Sequence, residues 1–194
     1  MTRPIKSLRA RLSTTLMALG LWLLPGWCYA WQMEGEKTIT AHTRDQQHIV
    51  IGTVRFTPQG DGSTGFELTM NQDKFTDYFL SMKEFKCLGS PVEVACHVPY
   101  PYQHPGIVSL QDLTWLEHNL LFLFKRPSEF GAKLWNGLYY RLKVTDEGLI
   151  GRPMAIDLNR ISAPPENLAV PTFGPDARDE ISGAAHWIES ISIQ

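Results

Sequence analysis

Short runs that alternate apolar and polar residues, each closed by Gly, Pro, Asn or Asp, govern what this chain can become. The clearest spans residues 137–145, where Leu138, Tyr140, Leu142 and Val144 alternate with Tyr139, Arg141 and Lys143. A period of two puts one set on each face of a strand. Glu34 and Glu36 share a strand face, as do Val50, Val54 and Phe56; Phe66, Leu68 and Met70; Val92, Val94, Cys96 and Val98; Met154, Ile156 and Leu158; and Trp187, Ile191 and Ile193. Turn clusters at 60–63, 88–91 and 146–148 separate these runs, and Asn136-Gly137 is the strongest hairpin signal because both residues tolerate positive φ. The pattern predicts an all-β, mainly antiparallel domain, either a small meandering β-barrel or a two-layer sandwich, with about 8–9 strands and one short helix. The helix is expected over Leu113–Asn119 with Asp112 as its cap, followed by a buried strand at Leu120–Phe124. Tyr78–Leu88 reads as one long aromatic-rich stretch, with Ser81 in a strand.

The first 30 residues follow a different rule. Arg3, Lys6, Arg9 and Arg11 precede an apolar run, Leu12–Leu24, and then Pro25, Gly26 and the small residue Ala30. This is the layout of a secretory signal peptide cleaved after Ala30, and the run is shorter than the roughly 20 residues a membrane helix needs. Removing 30 of 194 residues leaves 164, enough for a single all-β domain over 31–194 with a Pro-rich crossover at 162–185. The expected location is periplasmic or secreted, with no stable membrane span after cleavage. Four of the 18 basic residues and none of the 20 acidic ones leave with the signal, so the remainder carries 14 against 20, a net of −6. That balance argues against nucleic acid as a partner.

Cleavage also removes Cys28 and leaves Cys87 and Cys96, which an oxidising compartment joins as a disulfide. A loop of about ten residues closed this way is worth roughly 2.5–3 kcal/mol in the chain-entropy model. Directly opposed cysteines would make Pro91-Val92 a two-residue turn. Neither residue favours positive φ, so a slipped register or a bulge is expected.

No nucleophile signature, metal-ligand spacing or phosphate-binding glycine loop is present, so no catalytic residue, metal or cofactor is assigned. Aromatic residues stand out instead. Tyr100, Tyr102, His104, Trp115 and Trp135 are the candidate contacts for a ligand or partner, since rigid rings bind at low entropic cost. The competing role for the Tyr/Pro segment is packing over an open end of the sheet.

The small secreted size, the single disulfide at Cys87 and Cys96 and the all-β meander resemble lipocalin-like envelope proteins. The resemblance is architectural only. The G-x-W of that family is absent, because Tyr29 and Ala30 precede Trp31, so no residue role is carried over. The leading expectation is a non-enzymatic β-domain that binds a small apolar ligand or a cell-envelope partner. One alternative is an envelope hydrolase with a site near His97, His104 and Asp112. Another is a structural or assembly accessory without a ligand.

Overall fold

The computed structural model describes residues 31–80 and 83–194. Residues 1–30, where a signal peptide is expected, and Ser81 lie outside the described residues. Among the described residues there are twelve strands: β1 Gly35–Thr43, β2 His48–Pro58, β3 Thr64–Met70, β4 Thr76–Leu80, β5 Lys83–Gly89, β6 Val94–His97, β7 Ile107–Val108, β8 Phe122–Lys125, β9 Gly137–Thr145, β10 Gly148–Ile156, β11 Asp179–Glu180 and β12 Ile188–Ile193. The one α-helix among them, α1, covers Thr114–His118, and Asp112 accepts the Thr114 N–H at its start at 3.0 Å.

Every pairing is antiparallel, in the order β4-β5-β6-β8-β9-β10-β12-β1-β2-β3-β7, with β11 added beside β10. The all-β antiparallel class is as expected. The count is not: twelve strands replace eight or nine, because 78–88 divides between β4 and β5 and because β7 and β11 are two-residue strands too short to show a period. The sheet path does not close, so the barrel alternative is set aside. The sheet folds over instead. Helix α1 packs on both β7, at one end of the path, and β9, near its middle. The Tyr140 hydroxyl of β9 reaches across β10 to donate to the Ile188 carbonyl at 3.1 Å.

Three local features show how sequence becomes curvature. Ile51 is an extra residue in β2: Gly52 faces Ile39 and Val50 faces Thr40. The bulge reverses the face of everything before it, so Val50 is exposed while Ile51, Val54 and Phe56 are buried. This corrects the expected grouping of Val50 with Val54 and Phe56. Gly52 is required here, since a Cβ would lie 2.4 Å from the Thr69 carbonyl oxygen.

The Asn136-Gly137 hairpin does not form. Gly137 opens β9 and has no positive φ, and β8 connects to β9 through the eleven-residue segment 126–136. Gly137 serves close approach, because a Cβ there would sit 2.7 Å from Ile156. The predicted turn at Asp146-Glu147-Gly148 does form, with Thr145 paired to Gly148.

The disulfide is present, but its hairpin is in simple register. Cys87 faces Cys96 directly, and Gly89 faces Val94. The expected slip or bulge is absent because Ser90 changes the turn. Its hydroxyl oxygen accepts the Val92 and Glu93 N–H groups at 3.2 and 2.9 Å, and its own N–H donates to the Glu93 carbonyl at 2.9 Å. A side-chain acceptor in place of a backbone carbonyl lets Pro91 and Val92 keep negative φ.

Candidate binding surfaces

The disulfide anchors the base of the segment that follows β6, residues 98–106. Its rings turn inward. The Tyr100 hydroxyl bonds Thr172 Oγ1 at 2.8 Å and the Tyr102 hydroxyl donates to the Ile161 carbonyl at 2.8 Å. His104 stacks between Trp115 and Phe66, with centroids 5.6 and 5.8 Å away. Its Nδ1 accepts the Gly106 N–H and its Nε2 meets the Asn119 side-chain amide at 3.2 Å. Burial lowers its pKa. The structure thus brings Tyr100, Tyr102, His104 and Trp115 into one packed cluster, whose Tyr hydroxyls and His nitrogens are all bonded within the protein. Trp135 stands apart, 64% exposed, in the β8–β9 connection.

His97, His104 and Asp112 do not bond one another. His97 Nε2 pairs with the Asn119 carbonyl at 3.0 Å, and burial lowers the His97 pKa. Asp112 is occupied with the start of α1, which holds its carboxyl below the ordinary range.

A buried polar network sits against the aromatic cluster, and no motif announced it. Glu117 is 4% exposed on α1. One of its oxygens accepts the Tyr139 hydroxyl, and the other accepts the Leu142 N–H at 2.7 Å. Strand β8 pairs with β9 only at Leu138 and Gly137, so the carboxylate takes the place of a missing neighbour at Leu142. Arg178 lies 3.7 Å from Glu117, covers the Tyr139 ring at 4.0 Å and donates to the Phe173 carbonyl at 2.8 Å. His118 donates from Nδ1 to the Thr114 carbonyl and accepts the Phe173 N–H at Nε2, a neutral tautomer with both nitrogens satisfied. Burial pushes His118 down to about 4 and raises the carboxyl of Glu117 and the phenol of Tyr139. The network latches the Pro-rich crossover to the sheet through Phe173, which is fully buried. The crossover is therefore anchored in the core at one point, although most of it runs over the surface.

Two concave surfaces flank the 126–136 connection. One is an apolar groove of about 450 Å³ lined by Leu80, Phe85, Pro99, Pro101, Leu134 and Ile161, among others. Tyr100 and Tyr102 fall on either side of Pro101 in sequence, yet the prolines form the wall and the tyrosines pack behind it. The connection also carries Phe130, 98% exposed. Sequence reading named Trp135 and missed Phe130, Leu134 and Ile161. Exposed aromatics in an aperiodic segment carry no pattern that separates them from core residues. The other surface is a polar cleft, also about 450 Å³, where Glu93, Lys125, Arg126 and Lys133 are among the lining residues.

Among the described residues no group of three or more His, Cys, Asp or Glu side chains is placed to hold a metal ion, and no helix is long and apolar enough to cross a membrane. No protein-family model, curated protein or solved structure matches the chain.

Proposed function

We propose that this is a secreted or periplasmic binding protein, without catalytic activity, that holds a small apolar ligand in the groove between the Pro99–Pro101 wall and Leu134–Ile161. The observation that carries this reading is the groove itself. It is open, predominantly apolar and of a size typical for small-molecule sites. The disulfide supports it by fixing the strand from which the proline wall departs, so the wall is preformed and little ordering entropy is lost on binding. A second reading, an envelope partner that docks an apolar face, draws on the exposure of Phe130 and Trp135 in the adjoining connection.

The test uses a neutral, environment-sensitive naphthylamine dye. The folded protein is expected to bind it saturably and to lose that binding in Leu134→Asp, with the same circular dichroism spectrum. Dye binding that is absent, or equal in the two proteins, rules out the groove. Native mass spectrometry of protein taken from its source then separates the readings: a retained small molecule favours the first and a retained partner chain the second.

A further inference from the structure

We infer that the polar cleft is a second binding site, built for a small phosphate-bearing anion. It shares no lining residue with the apolar groove. Four cationic side chains line it: Arg44 from the β1–β2 turn, Lys125 at the end of β8, and Arg126 and Lys133 from the connection that follows. Its two carboxylates are already engaged. Glu129 accepts from Lys133 at 3.1 Å and from the Arg126 N–H at 2.8 Å. Glu93 bonds His186 at 3.0 Å and the Trp187 N–H at 3.2 Å. Arg44, Lys125 and Arg126 make no ion pair among the described residues; Glu129 feels the Arg126 charge but is bonded to Lys133, so four cations face two carboxylates and the cleft keeps a positive excess.

Lys125 is the informative member. Its stem is packed, 6% exposed overall, while its ammonium is not enclosed and opens into the cleft without an ion pair among the described residues. A stem that merely snorkels along apolar surface would account for Lys125 alone. It does not account for the gathering of two arginines beside it in a chain with net charge −2. Arginine forks match phosphate oxygens two at a time, while a lysine supplies a point charge to the same group. The cleft volume exceeds what a bare phosphate needs, so the phosphate is expected to be carried on a small organic body.

The probe is inorganic pyrophosphate, titrated calorimetrically into the purified protein with ionic strength held constant by chloride. Saturable binding at millimolar concentration or below is expected, with a saturable rise in Tm. Lys125→Met keeps the volume of the stem and removes the charge, and is expected to weaken binding by about tenfold or more. Its Tm without ligand should stay close to that of the parent, because the packed apolar stem is kept. Arg126→Gln changes an exposed side chain, so it keeps the test valid should Lys125→Met fold poorly. The inference is overturned if pyrophosphate shows no saturable binding, or if the folded variants bind as the parent does. It is also overturned if Lys125→Met is less stable yet Arg126→Gln binds normally, for then the lysine serves the fold alone.

Discussion

Two groups of aromatic side chains in this protein have similar sequence surroundings and opposite fates. Tyr100, Tyr102, His104 and Trp115 come from a Pro-rich segment and a five-residue helix, and they pack ring against ring beneath the crossover. Their polar atoms bond Thr172, Ile161, Gly106 and Asn119. Phe130 and Trp135 come from an equally irregular segment and stand in solvent. The first group has a rigid backing in Glu117, His118 and Tyr139, and the second projects from a connection with no layer above it. Rings whose polar atoms are already satisfied hold the fold together. Rings left in water contribute little to it.

The comparison breaks most decisively at Trp115. Trp115→Ala removes a ring that touches Tyr100, His104 and His118, and should cost about 3–5 kcal/mol in urea denaturation. A loss below about 1 kcal/mol would mean the cluster is not core.

Acid should loosen the same cluster. His118 is held neutral with a pKa near 4, against an ordinary value of 6.5. The unfolded chain therefore binds the proton first, and stability contributed by neutral His118 is lost as pH falls from about 6.5 toward 4, by up to roughly 3 kcal/mol. Protonation would also cost the Phe173 N–H its acceptor. Glu117 acts in the opposite sense, since its carboxyl is raised by burial and its protonation on the way down relieves a buried charge. The isolating measurement is the difference in pH slope between the parent and His118→Gln. Parallel slopes would remove His118 as the cause.

Replacing both Cys87 and Cys96 with Ala should cost roughly 2.5 kcal/mol, read from the shift in denaturation midpoint. If the proline wall depends on this anchor, naphthylamine binding should weaken in the same variant while it is still folded. Trp135→Ala and Phe130→Ser should change stability least, within about 0.5 kcal/mol. If the proposed second reading holds, Trp135→Ala should nonetheless weaken retention of the envelope partner in a pull-down. A Trp135→Ala protein that is clearly destabilised would place that ring with the packed group and erase the distinction.

Much of the architecture is legible in the sequence. The alternation in 137–145 and 148–156, the tight turn at 146–148 and the buried strand after α1 follow from local rules; Asp112 bonds the first turn of α1 as expected, but Leu113 takes the cap position. The misreadings share a cause. Asn136-Gly137 has the chemistry of a hairpin turn, but a glycine is also needed wherever two segments approach closely, and Ile156 decides between the two. Val50 and Ile51 look equivalent in the pattern, and only the pairing of β2 with β1 shows which is the extra residue. Ser90 marks a turn by composition, but only the folded hairpin shows its hydroxyl in place of a backbone acceptor.

The candidate surfaces were less legible still. Lys125, Glu93 and Glu117 are unremarkable charges in sequence, spread over three elements. The burial of all three, and the partners of Glu93 and Glu117, arise only when the sheet folds over and the crossover is latched down. By itself the sequence determined the antiparallel β class and most strand faces, because these depend on neighbours within a few residues; it singled out two of three cysteines only on the expectation that Cys28 leaves with a signal peptide. The tertiary structure decided which aromatics are core, which carboxylates are buried and where concave surfaces lie. Those properties depend on what covers a residue from a distant part of the chain, and no local period encodes that.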